Sequence, residues 1–528
     1  MLGPACRAAV FVGAWLCGAL AWAQAGDRAE RWFDGARPRP LAQQALQLLA
    51  EAPGHGLDAR DYALDALGSG FARAARGAPL GVDERVALGA RLDAALRRYL
   101  HDLHRGRIDP RTLHPRYAIA PREHFDADEL LNEALARGDP GAAVRRAVPQ
   151  VPQYERLREA LARARALAAH PAWGDRLPEL PRAARPAHAG KLEPGQAWPG
   201  LPLLQQRLQA MGDLPASDAR AAPPAYDGGL VAAVRAFQQR HGLAADGVIG
   251  ASTWRALQVA PSLRARQIEL ALERLRWTPL LTHARTIVIN IPEFVLRAYE
   301  VHDGRIEVQR TMKVVVGKAL DTRTPLIEAE LRYIECSPFW NVPPSIARAE
   351  VVPLLLRQSA VWARDGYEFV DARGAVDAAY SRAKLDAVLA GQLRIRQRPG
   401  PRNPLGDIKF VFPNDEQIYL HHTPATRLFE RERRDFSHGC IRVEQPVELA
   451  TFVLRGMPAW SESRIRQAMD HGTSATLAVT QPVHVLIAYA TALVKDGRVH
   501  FFDDLYGLDA MLDAALQRES ARRAAAAS

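Results

Sequence analysis

Ser437-His438-Gly439-Cys440-Ile441-Arg442, read together with Tyr419-Leu420-His421-His422-Thr423-Pro424, decides how the rest of the sequence is read. Cys440 is one of four cysteines, with one histidine two residues before it and another upstream at His421. A cysteine nucleophile needs a base to generate its thiolate and backbone N–H groups to hold the oxyanion formed on attack. Gly439 permits a tight turn beside the sulfur and leaves the amides of Gly439 and Cys440 uncovered. Arg442 offers a planar cation for a carboxylate or for developing negative charge. Two other readings compete. A lone cysteine is most often a small buried apolar residue. Two histidines and a cysteine also suit zinc, but no second Cys-x-x-Cys or His-x-x-x-His pair accompanies them.

The spacing of His421, then fifteen residues, then Ser437-His438-Gly439-Cys440 resembles the signature of the L,D-transpeptidase catalytic domain. That family consists of cysteine enzymes that cross-link peptidoglycan stem peptides. The resemblance implies Cys440 as nucleophile and His421 as general base. His438 supports it, or the two histidine roles are exchanged. Gly439 and Cys440 amides form the oxyanion hole. Tyr419, Ser437, Arg442 and Trp340 are the expected substrate contacts, Trp340 coming from the run Phe339-Trp340-Asn341-Val342-Pro343-Pro344. Core packing is the competing reading for Trp340. Arg442 stands where many members have asparagine, and His422 where aspartate, glycine or serine is more usual. The group that orients the base is therefore left open. The chemistry calls for no cofactor and no metal, and neither a P-loop nor a dinucleotide fingerprint is present.

A chain of 528 residues with 48% hydrophobic content accommodates three or four domains. Its net charge of +10 is carried mostly by arginine, with only six lysines and no dense basic run. This argues against nucleic acid as a partner and suits an anionic wall polymer or membrane surface. Residues 1–25 read as a secretory signal: Arg7, an apolar run over 8–21, then small residues around Ala23 and Ala25. Periplasmic localisation without a membrane span after cleavage is expected. Cleavage removes Cys6 and Cys17 and leaves Cys336 and Cys440. A bridge between these two would silence the nucleophile, so both thiols are expected to be reduced.

Residues 27–170 show helical spacing, clearest in Leu88, Leu92, Leu96, Tyr99, Leu100 and Leu103. They resemble the scaffold of the large periplasmic branch of the family. Residues 171–196, with Pro171, Pro178, Pro181, Pro186 and Pro194, read as a linker. In 197–260, Phe237-Gln238, Gly242-Leu243, Asp246-Gly247 and Gly250 with Thr253 follow the order of the small three-helix peptidoglycan-binding domain, which they resemble. Ser252 or Thr253 is the expected cap of its last helix. Residues 265–284 read as a linking helix. From 285 to 510 the period changes to two, and the resemblance implies a mostly-β catalytic sandwich. Within it 347–400 departs from strand rhythm and is expected as a capping insertion, loop-like over 394–404. The alanine- and arginine-rich tail, 518–528, is expected to be disordered. The expected fold class is multidomain α+β: a helical N-terminal scaffold, a three-helix peptidoglycan-binding domain and a mostly-β L,D-transpeptidase sandwich with an inserted capping segment.

The resemblance also implies the reaction. The Cys440 thiolate attacks the third-residue carbonyl of a tetrapeptide stem, releases D-alanine and passes the acyl group to an amine of another stem. Peptidoglycan stem peptides are then the partners, with other wall-synthesis enzymes beside them. The same site with water as acceptor is an L,D-carboxypeptidase, and with a lipoprotein lysine an anchoring transferase. A non-catalytic wall-binding protein using residues 197–257 is the rival of another class.

Overall fold

Helix α3 (Val82–Arg105) sets the pattern for the N-terminal part. Its Leu88, Leu92, Leu96, Leu100 and Leu103 recur at steps of three and four residues, and all are buried. They pack against apolar faces of α1 (Pro40–Ala50), α2 (Leu64–Ala75), α4 (Ala127–Ala136) and α5 (Pro140–Ala147). The computed structural model describes residues 31–527 apart from 78–79, 115–116, 118, 120–124, 182–189, 216–223, 279–282 and 304. The expected signal segment, with Cys6 and Cys17, lies outside the described residues. Among the described residues, no helix is long and apolar enough to cross a membrane.

The expected linker is in part packed. Leu177 and Leu192 are buried in the core of the following unit, and Leu192 pairs with Ile249 across a short antiparallel bridge. Arg207 holds the strap in place by donating to the carbonyls of Ala172 and Leu257, each at 2.8 Å. Proline-rich composition signals the absence of regular elements, not the absence of packing. The unit itself has three helices, α7 (Leu201–Ala210), α8 (Gly228–Arg240) and α9 (Ala251–Gln258). Gln238 Nε2 donates to Asp246 Oδ1 at 3.0 Å, and Gln238 Oε1 accepts from the Gly247 amide at 2.9 Å. The Phe-Gln and Asp-Gly landmarks are thus two sides of one turn. Helix α9 is capped by Gly250 and not by Ser252 or Thr253. Thr253 Oγ1 faces Gln238 Nε2 instead, at 3.2 Å.

Helix α10 (Pro261–Trp277) begins before the expected residue 265 and is bonded on both sides. Its buried Glu273 accepts from the scaffold amides of Arg107 and Ile108 at 2.5 and 3.1 Å. Its Gln267 donates to the catalytic-domain carbonyls of Thr491 and Phe502, each at 2.9 Å.

The catalytic domain contains β1 (Arg285–Asn290), β2 (Val295–His302), β3 (Arg305–Gly317) and β4 (Ile327–Cys336). After the insertion come β9 (Ile408–Val411), β10 (Leu420–His421), β11 (Asp435–Ser437), β12 (Ile441–Val443) and β13 (Ala475–Ala488). The sheet runs β11-β3-β12-β10-β9-β4-β13-β1-β2, and β2 pairs with β3 as well. The ladder therefore closes on itself, so the two layers of the expected sandwich are halves of one ring. Val314, Leu331, Phe410, Leu420, Ile441 and Ile487 fill it, each at most 0% exposed. Hairpin β14 (Ala492–Lys495) and β15 (Arg498–Phe501) lies outside the ring, against α10 and the scaffold's α6 (Pro152–Ala166).

The capping insertion is a folded unit with its own core of Leu355, Trp362, Phe369, Leu385 and Ile395. Its sheet has the order β5-β8-β6-β7, from β5 (Trp340–Asn341), β6 (Tyr367–Val370), β7 (Val376–Asp377) and β8 (Arg394–Gln397). It also contains α11 (Val352–Arg357), α12 (Ala360–Asp365) and α13 (Arg382–Leu389). The stretch expected as a loop from 394 thus begins as a strand, because Ile395 is buried opposite Phe369. After α14 (Pro446–Val453) and α15 (Glu462–Asp470), the chain ends in α16 (Leu508–Ala527). The expected disordered tail is therefore helical through Ala527. Arg523 Nη1 donates to the buried Asp102 of α3 at 2.6 Å, a contact that local composition cannot announce.

Candidate active site

Strands β10 and β12 are parallel neighbours, with Leu420 opposite Ile441 and His421 opposite Arg442. Leu420 and Ile441 point into the core and are fully buried. Alternation along a strand sends the flanking residues to the other face. Tyr419, His421, Cys440 and Arg442 therefore share one surface, although nineteen residues of sequence separate His421 from Cys440. The Ile441 amide donates to the Tyr419 carbonyl at 3.1 Å and continues this register past the strand ends. The Tyr419 and His421 rings meet edge to face at 5.8 Å.

His421 is buried and its Nδ1–H donates to the His422 carbonyl at 2.5 Å. This assigns the proton to Nδ1 and leaves Nε2 as the acceptor. Burial, with the Arg442 charge adding, lowers its pKa to about 3, so the imidazole is neutral at neutral pH. The orienting group left open by the sequence is this backbone carbonyl. The His422 side chain has a different job: it packs over Gly406 and faces Asp407 at 3.2 Å. Gly406 has φ +62, and a Cβ there would meet His422 Nδ1 at 2.5 Å.

The Cys440 thiol is half-buried, and burial pushes its pKa up. Hydrogen bonds from Tyr419 and the charges of Lys409 and Arg442 favour the thiolate and oppose that shift. Sγ also lies 3.7 Å from the Gln417 carbonyl. Cys440 therefore rests as a thiol on the same face as a neutral His421. Cys336 is the other free thiol, buried in β4.

Gly439 has φ +113, a conformation L side chains avoid, and a Cβ would meet Ile418 Cδ1 at 3.2 Å. Its carbonyl accepts from Thr324 Oγ1 at 2.7 Å, and the Ser437 carbonyl accepts from Thr322 Oγ1 at 3.0 Å. The loop after β3 therefore straps the nucleophile turn. The Gly439 amide faces Ser437 Oγ at 3.3 Å, whereas the Cys440 amide donates to no acceptor among the described residues. Ser437, expected as a substrate contact, is buried, and its hydroxyl donates to the Cys440 carbonyl at 2.5 Å. It serves the turn. Trp340 lies in the cap sheet opposite Gln397 and packs against the cap core. His438 Nε2 meets Glu350 of the cap at 2.7 Å. Arg442 Nε is buried without a hydrogen-bond partner, and no carboxylate pairs with this guanidinium among the described residues.

Thr322, Thr324, Lys409 and Glu350 were not legible as site residues, since each reaches the site from a strand or loop remote in sequence. Among the described residues, no group of three or more His, Cys, Asp or Glu side chains forms a metal-binding cluster.

Comparison with known proteins agrees with this architecture. Residues 24–161 match a scaffold domain, 199–257 a "Putative peptidoglycan binding domain" and 284–460 an L,D-transpeptidase catalytic domain. A relative from Haemophilus influenzae named "Putative L,D-transpeptidase" is 28% identical over 252 residues, 47% of this chain and 49% of the relative. The chain thus spans about half the length of that relative. A crystal structure of an L,D-transpeptidase from Stackebrandtia nassauensis is similar over 56% of this chain and 94% of its own, at 12% identity and a TM-score of 0.21. A fused Zn-dependent amidase/peptidase/peptidoglycan-binding protein from Clostridium acetobutylicum covers 57% of this chain and 100% of its own, at 11% identity and a TM-score of 0.17. The last two likenesses are too distant to bear on the site. The chain thus carries, in order, a scaffold domain, a peptidoglycan-binding domain and an L,D-transpeptidase catalytic domain, the last of which holds Cys440 and His421.

Proposed function

We propose that the chain is a peptidoglycan L,D-transpeptidase working in the periplasm, with Cys440 as nucleophile and His421 as general base. The observation that carries this reading is the shared face of Tyr419, His421, Cys440 and Arg442 across the parallel β10–β12 pair. His421 Nε2 takes the thiol proton as Sγ attacks the carbonyl of the third stem residue. The Cys440 amide, free of internal acceptors, receives the oxyanion. The C–N bond to the terminal D-alanine then breaks, the proton passes from His421 to the departing amine, and a thioester remains. An amine of a second stem attacks the thioester and restores the thiol, leaving a cross-link between two third residues. Arg442, buried without a carboxylate partner, is matched to a stem carboxylate. Stem peptides are the partners of this chemistry, and residues 199–257 present a peptidoglycan-binding domain to the same polymer.

Incubation of the full chain with a tetrapeptide stem, followed by mass spectrometry of protein and products, tests the reading beside Cys440→Ala. A mass increase at Cys440 with release of D-alanine and a cross-linked dimer is expected. Hydrolysed tripeptide alone would make the enzyme a carboxypeptidase, and acyl transfer only to a lipoprotein lysine an anchoring transferase. Turnover unchanged in Cys440→Ala would overturn the assignment of the nucleophile, and absence of any turnover by the wild-type chain would favour a wall-binding role.

A further inference from the structure

The cap places one carboxylate against the nucleophile turn. Among the described residues 340–403, ion pairs stay within the cap with one exception, Glu350 Oε1 to His438 Nε2 at 2.7 Å. Glu350 sits in a π-helical turn, Ala347–Val351, that runs into α11. Such turns widen a helix at a cost and are concentrated at functional sites. The turn is anchored by the buried Ala347 and Val351, while the Glu350 side chain remains 51% exposed. Cap packing thus does not require that side chain.

A carboxylate only accepts hydrogen bonds, so the contact draws the proton of His438 to Nε2. Nδ1 then carries the lone pair, and it has no partner among the described residues. The two histidines differ in access. His421 is 4% exposed beneath the surface, whereas the His438 side chain is 29% exposed where the cap meets the turn.

We propose that Glu350 is a positioning residue for the second half of the reaction proposed above, on which this inference rests. By holding Nε2–H, it presents His438 Nδ1 as the base that takes a proton from the incoming amine. The amine nitrogen bonds to the acyl carbon and the C–S bond breaks. An amine that arrives as an ammonium first gives one proton to solvent, and the second proton, lost by nitrogen as it bonds to carbon, passes through His438 to the departing sulfur, giving an amide and the free thiol. The negative charge of Glu350 also favours an acceptor that approaches as a cation over neutral water. The cap thereby acts on which acceptor is used.

The test follows the full chain with a tetrapeptide as both donor and acceptor, measuring cross-linked dimer against hydrolysed tripeptide. Glu350→Ala is expected to lower that ratio by at least about tenfold, the scale of a misplaced general base. Where the second half limits turnover, kcat should fall while kcat/KM for the donor, which reports acylation, stays near wild type. Glu350→Gln, whose amide oxygen still accepts from Nε2–H, should keep part of the ratio. A wild-type ratio in Glu350→Ala overturns the proposal. So does loss of D-alanine release in Glu350→Ala as complete as in Cys440→Ala, which would place Glu350 in acylation or in folding. If the wild-type chain forms no acyl-enzyme at Cys440, the transpeptidase reading itself falls, and that result is distinct from a failure confined to Glu350.

Discussion

His421 Nδ1 is held by the carbonyl of the next residue, His422, at 2.5 Å, so this imidazole is oriented by backbone and not by a side chain. A consequence separates the two adjacent histidines. His421→Ala should lower acylation by at least about a hundredfold, the range expected for a lost general base. His422→Ala keeps the carbonyl and loses only the ring that packs over Gly406, and should cost less than about tenfold. Rates of D-alanine release from a tetrapeptide check both.

The resting thiol is predicted to be protonated at neutral pH. Burial raises the Cys440 pKa and lowers that of His421, which works against a preformed thiolate–imidazolium pair. Alkylation by iodoacetamide should climb with pH and show a midpoint above the ordinary thiol value of about 8.5. A plateau already reached below pH 7 would contradict it. Cys440→Ala identifies the signal, because Cys336 is buried.

Gly439→Ala should abolish measurable turnover with little loss of fold. Its φ of +113 costs an L residue about 1–2 kcal/mol, and the new Cβ would press on Ile418 at 3.2 Å. The local response is a turned peptide at the amide that faces the oxyanion. Thermal melting within a few degrees of wild type, with no D-alanine release from a tetrapeptide, is the expected pair of results.

Arg523→Ala should destabilise the chain by about 3 kcal/mol, since it leaves the buried Asp102 short of its cation. The Tyr62 hydroxyl, at 2.9 Å from Asp102, offsets only part of that loss. Arg522→Ala is the control: its pair with Glu519 is made by a side chain 77% exposed and screened by solvent, and the unfolding midpoint should not move measurably. Denaturant unfolding measures both.

Acid should weaken the fold from near neutrality downward. Burial lowers His55 and His421 to about 3 and His114 and His500 to about 4. These groups are neutral in the fold, while the unfolded chain takes up protons below about pH 6.5. Unfolded chains then bind more protons, so stability falls with pH between about 6.5 and 3. For a buried site such as His55, the loss is on the order of 3 kcal/mol by pH 4. Unfolding midpoints measured from pH 7 to 4 should decline, and a flat profile would contradict the burial argument.

Much of the architecture was legible because it rests on local rules. The helical spacing of Leu88 to Leu103, the Asp246-Gly247 turn and the alternation in β1 and β2 each record burial or turn chemistry within a few residues. The Ser437–Cys440 turn was legible too, since the need for a glycine beside the sulfur is local. Other features depended on contacts between distant segments. Leu177 and Leu192 gain a core only from helices that follow them, and α16 is held by Arg523 reaching Asp102. Ser437 looked available to substrate until its hydroxyl was found closing the turn.

By itself, then, the sequence determined the residue types and spacing from which the candidate site is drawn: one cysteine, two histidines and one arginine. Only the tertiary structure decided how they divide the work. The parallel pairing of β10 with β12 puts His421 on the Cys440 face, burial keeps that histidine neutral, and the cap gives His438 its carboxylate. The physical reason is that residue type and spacing fix what a side chain is able to do. Its proton, tautomer and partner depend on solvent exclusion and on groups brought in from elsewhere in the chain.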